Sequence, residues 1–75
     1  MNLPLHESTF QYLKPTDDQL FKMEQARQAA ADYAYRLQIV VPDGPDKTYL
    51  LRKLREVSMW TMVAITREAD GSPRE

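Results

Sequence analysis

The sequence predicts an all-α fold, an antiparallel helical hairpin with a short N-terminal arm or helix, assembled as a homo-oligomer. Three observations carry this. A helix-start signal, "PTDDQ", opens a long stretch of helical periodicity. A Pro- and Gly-containing break, "VPDGP", divides that stretch from a second one. The second, ending in "REVSMWTMVAI", holds more apolar surface than one partner helix can cover.

Residues 1–15 contain two prolines and no sustained period, so they read as an arm. At Thr16 the first helix begins. Pro15 resists continuation from upstream, Thr16 caps, Gln19 completes a capping box, and Asp17 and Asp18 set negative charge at the positive end of the dipole. The helix spans 16–41, with Asp17 to Val40 as its body. Pro42 then disfavours helical geometry at Val41, and 42–45 form the turn. A second helix follows over 46–67, and the polar tail 68–75 is expected to fray. All 75 residues make one domain.

In the first helix Leu20, Met23, Arg27, Ala30, Ala34, Leu37 and Val41 form a stripe that is apolar except at Arg27. That arginine has two readings. Either its methylenes lie along the seam with the guanidinium in water, or it is held in an interface to meet an anion. In the second helix Leu50, Leu51, Leu54, Val57, Ser58, Thr61, Ala64 and Ile65 face the first. Met59, Trp60, Met62 and Val63 are left for an oligomer interface, unless the arm covers Trp60 within one chain.

A chain this short buries only about 60% of the surface it exposes when unfolded. With no Cys and one His, disulfides are excluded and a zinc site nearly so, which leaves association as the stabilising device. Ten Lys and Arg against eleven Asp and Glu give a net charge of −1, so no field draws the chain to DNA or an anionic membrane. The opening "MNLPLHESTF" lacks a signal-peptide pattern, and a cytoplasmic protein is expected.

No catalytic constellation or cofactor motif emerges, and the protein is expected not to be an enzyme. His6 has no acid/base partner, Asp17 and Asp18 are better explained by capping, and "PDGPDKT" lacks the spacing of a phosphate loop. Lys47 and Thr48 stand in the first turn of the second helix, where an anion is favoured. Arg52, Lys53 and Arg55 read as solubilising charge, with Arg52 paired to Glu56, and Arg67 as dipole compensation. In "TFQYLKP", Phe10, Tyr12 and Lys14 are the ingredients for stacking a base and neutralising a phosphate. The alternative is that the two rings pin the arm to the hairpin.

The stretches "YLKPTDDQLFKMEQARQAAADYAYRL" and "VPDGPDKTYLLRKLREVSMWTMVAITR" resemble small phage proteins of the anti-CBASS and Thoeris anti-defence sponge family, over about residues 12–67. The resemblance is most specific at Tyr12 and Pro15, Arg27, Val41 and Pro42, and Met59-Trp60 with Ala64, Ile65 and Arg67. It departs at "LLRKLREVS", where the family carries a more acidic, alanine-rich segment. The resemblance implies a trimer of dimers, a homohexamer. Such an assembly sequesters cyclic dinucleotides such as cGAMP, and cyclic trinucleotides at separate sites, without cleaving them, so that host effectors stay inactive. Tyr12 and Arg27 match the family's dinucleotide contacts, and Lys47 or Thr48 would serve a trinucleotide. A two-fold dimer suits a cyclic dinucleotide, because it presents each ring and each guanidinium twice. The alternative is a helical oligomeric adaptor or structural protein with no nucleotide ligand.

Overall fold

The computed structural model describes residues 5–74. Two helices, α1 (Asp17–Val40) and α2 (Pro45–Thr66), pack antiparallel as a hairpin. Among the described residues, no helix is long and apolar enough to cross a membrane.

Helix α1 begins on a complete capping box. Thr16 Oγ1 accepts from the Gln19 backbone N–H at 3.1 Å, and Gln19 Oε1 accepts from Thr16 N–H at 3.0 Å. Val41 closes the other end in extended geometry, as the following proline requires. Helix α2 starts on Gly44, at φ 152°, with Pro45 in its first turn. Lys47 then reaches back across the turn. Its Nζ donates to Gln38 O at 2.8 Å and pairs with Asp43 at 3.0 Å, which supplies a cation to the C-terminus of a helix whose own last turn has none.

The helix–helix seam differs from the expected one at two places in α1. Met23, Ala30, Ala34, Leu37 and Val41 face inward, but Leu20 and Arg27 are exposed. Gln19 is buried and Ala26 half-buried in their stead. Arg27 therefore flanks the seam rather than interrupting it. In α2, Val57 and Ala64 are exposed, whereas Met62 turns inward.

The tail does not fray over its described part. An α-helix ends with carbonyls that lack intrahelical donors, and here Arg74 supplies two. Its backbone N–H donates to Thr66 O at 2.9 Å and its Nε to Ala64 O at 2.8 Å. Gln19 Nε2 then donates to Arg74 O at 3.1 Å, tying the tail to the start of α1. An isolated bridge between Arg67 and Pro73 and a turn through Gly71, at φ 91°, complete the return.

No described hydrophobic residue is fully buried, and the buried side chains, Gln19 and Thr66, are polar. The radius of gyration is 15.5 Å, against about 11 Å for a compact domain of this length. With extents of 44 × 35 × 15 Å, the chain is a slab little thicker than one helix.

Candidate functional site

The arm is held by its backbone. A turn over residues 6–9 is closed by Thr9 N–H to His6 O at 3.0 Å, and Thr9 Oγ1 donates to the same carbonyl at 2.6 Å. His6 Nδ1 accepts from the Ser8 N–H at 3.1 Å, a local turn contact. Arg67, half-buried at the end of α2, clamps this turn in place. One Nη donates to Ser8 O at 2.9 Å and Gly71 O at 2.7 Å, and the other to Gln11 O at 2.6 Å. A fork of this kind joins arm, tail and helix end through a single cation.

The aromatic side chains on the clamped arm are unpacked. Phe10 is 92% exposed and Tyr12 88%, so neither ring pins the arm, contrary to one of the two sequence readings. Lys14, two residues beyond Tyr12, is exposed as well. Phe10 also edges a cleft of roughly 370 Å³ shared with Leu5, Trp60, Val63 and Arg67. Although the arm approaches Trp60 there, it leaves the indole 65% exposed.

The other candidates lie at separate stations. Arg27 sits about 16 Å along α1 from the Thr16 cap, on the 1.5 Å rise of a helix. Its Nη2 pairs with Glu24 at 2.8 Å, and its Nη1 lies 3.9 Å from Met62 Sδ across the seam. Lys47 and Thr48 lie further still, at the turn end of the hairpin. Tyr12 stands on the arm before the Thr16 cap, and Arg27 about three turns beyond that cap.

Lys47 is not an available cation. Its side chain is 17% exposed, and its partners are the Gln38 carbonyl in the last turn of α1 and the Asp43 carboxylate of the inter-helix turn. Thr48 Oγ1 lies 3.4 Å from Gly44 O, one helical turn back. The ammonium expected to serve an anion at the start of α2 is thus turned to the end of α1.

Of the interface candidates, Met59 is 62% exposed, Trp60 65% and Val63 42%. Met62 is withdrawn into the seam beside Arg27. The expected Arg52–Glu56 pair is replaced by Lys53–Glu56 at 3.4 Å, with Lys53 Nζ also 5.4 Å from the Tyr49 ring centroid. A shallow trough of roughly 210 Å³ runs over Ala30, Ala31 and Ala34 toward Arg55 and Ser58 on one face of the hairpin. On α2, Tyr49, Val57, Trp60 and Ala64 are exposed in line.

Sequence reasoning missed the clamp. Arg67 was readable only as a helix-end charge, because its acceptors are carbonyls as many as 59 positions away. The tail turn carries one perturbed group. Hydrogen bonds from the Ser72 hydroxyl, then from the Ser72 backbone N–H, hold the Asp70 carboxyl below its ordinary value. Among the described residues there is no group of three or more His, Cys, Asp or Glu that could hold a metal ion.

No protein-family model, curated protein or solved structure matches the chain. The resemblance to the phage sponges therefore stands on the residues quoted for it.

Proposed function

We propose that this protein is a phage sponge for cyclic oligonucleotide second messengers. It holds cyclic dinucleotides such as cGAMP, and cyclic trinucleotides as a second class, in the cytoplasm of the infected bacterium. They are bound intact, so that CBASS-type effectors are not activated.

One observation carries the reading: an arm whose backbone is clamped by a guanidinium while its two aromatic rings, Phe10 and Tyr12, stand in solvent. A fixed backbone with free rings is how a stacking platform is built, since the ring reaches a base without first having to be ordered. In one chain Tyr12 stands on the arm and Arg27 about three turns into α1. As the resemblance implies, the pocket is formed between copies, with Tyr12 of one beside Arg27 of the other, in a homohexamer. There the guanidinium exchanges its exposed Glu24 pairing, worth little in water, for a phosphate. Lys14, two residues beyond Tyr12, is exposed as well, whereas Lys47, held by Gln38 O and Asp43, and Thr48 are not assigned to this pocket.

Calorimetry against a panel of cyclic di- and trinucleotides tests the proposal. Saturable binding is expected for at least one cyclic dinucleotide. Tyr12→Ala and Arg27→Ala should each weaken it at least tenfold, and the nucleotide should be recovered unchanged after protease digestion. Absence of heat and of any thermal shift across the panel refutes it. That outcome favours a helical adaptor or structural protein, a reading supported by the exposed Trp60 surface of α2.

A further inference from the structure

Helix α2 carries two stripes. The inward one packs on α1. The second, Tyr49, Lys53, Val57, Trp60 and Ala64, has the four- and three-residue steps of a helix seam, yet it is left largely open: the arm borders it only at Trp60 and α1 only along its Tyr49 end. Tyr49 is 63% exposed, Val57 58% and Trp60 65%. Two shallow grooves follow this line and share Lys53 and Val57, so they form one trough about 22 Å long on the helical rise. Tyr33 of α1 forms part of its far wall.

We infer that this trough is a self-complementary interface, in which α2 of a second copy lies antiparallel to the first about a two-fold axis near Val57. The stripe's own spacing says what fits. Read backwards it has nearly the same steps, which is what an isologous contact needs. Reversal sets Tyr49 against the partner's Ala64, a large residue against a small one. It sets Lys53 against the partner's Trp60, and Val57 against itself. Lys53 already lies 5.4 Å from the centroid of one aromatic ring, and its stem and ammonium would then sit between two.

The area argues for the same occupant. The chain exposes 6339 Å², whereas a compact monomer of 8.7 kDa exposes about 4,700 Å². The excess, on the order of 1,500 Å², is more than the roughly 800 Å² per partner of a standard interface and lies in the range of obligate dimers. A chain with no fully buried hydrophobic residue among those described requires a partner to fold around, and a second copy is always at hand. This deepens the assembly part of the proposed function and is independent of its nucleotide.

Because the chain has no cysteine, a single introduced thiol reports the contact directly. Under mild oxidation Val57→Cys should form a covalent dimer at least tenfold faster than Ala29→Cys, placed on the outer side of α1. Trp60→Glu should reduce the native mass in solution while leaving far-UV helicity unchanged. If Trp60→Glu unfolds the protein, the cross-link alone decides. An oligomeric native protein whose Val57→Cys variant couples no faster than its Ala29→Cys variant overturns the seam but not the assembly. A native monomer at micromolar concentration overturns both, and nucleotide calorimetry still stands as a separate result.

Discussion

Replacing Arg67 by Ala should free the arm and leave the helices intact. The side chain makes three hydrogen bonds, to Ser8 O at 2.9 Å, Gly71 O at 2.7 Å and Gln11 O at 2.6 Å. Hydrogen bonds from a charged donor are worth about 1.5–3 kcal/mol each by mutation. They do not simply add here, because the guanidinium is only half-buried and the released carbonyls regain water. About 2–4 kcal/mol of local stability is the expected loss. At about 1.4 kcal/mol per decade, that is roughly a 30- to 700-fold fall in amide exchange protection. The reporters are the N–H groups of His6, Thr9 and Gln11, which donate to Asp70 O, His6 O and Ser8 O. Amides in the middle of α1 and α2 serve as the internal reference and should not change. Arg67→Lys keeps the charge but not the fork, and should lose most of the same protection. Arm amides as protected in Arg67→Ala as in the native protein would refute the clamp, and full rescue by Lys would show that charge alone suffices.

Four further outcomes are expected. Gln19→Leu removes the acceptor for Thr16 N–H and the donor to Arg74 O, and should cost about 1–3 kcal/mol in urea denaturation; Gln19→Glu keeps the cap yet should still release the tail. Gly71→Ala demands an unfavourable φ of 91° and drives its Cβ into Thr9 Oγ1, so Thr9 and His6 amides should lose protection while helicity is retained. Asp70 has a folded pKa below its ordinary 3.8, so its contribution is full above that value and lost as pH falls through the lower folded one. Ser72 N–H chemical shifts should titrate below 3.8, and Asp70→Asn should abolish that transition. Lys47→Met should lower stability by about 1 kcal/mol in thermal or urea melts and leave any cyclic-nucleotide affinity unchanged, since the ammonium is engaged at the turn.

The hairpin was legible because its punctuation is local. Thr16, Gln19, Pro42 and Pro45 act within a few residues of themselves, and they mark the helix limits to within one position of the expected 16–41 and 46–67. The seam was less legible. Leu20 and Arg27 satisfy a periodic pattern as well as Gln19 and Ala26 do, and Gln19 is buried because Arg74 O, 55 positions away, accepts from it. The tail was misread for the same reason, since its order comes from orphan carbonyls at the end of α2. In the candidate site, Tyr12 and Phe10 were nameable from composition, but whether their rings pack was not. Lys47 looked free because the Gln38 carbonyl that it caps carries no signature in the sequence.

The 15 Å thickness of the slab has a consequence for how the protein tolerates change. In a thicker fold, intolerant positions mark out an interior, and partners must be sought among the rest. Here the lone chain has almost no interior to protect. A saturation survey of its substitutions would trace mainly the outlines of whatever it touches.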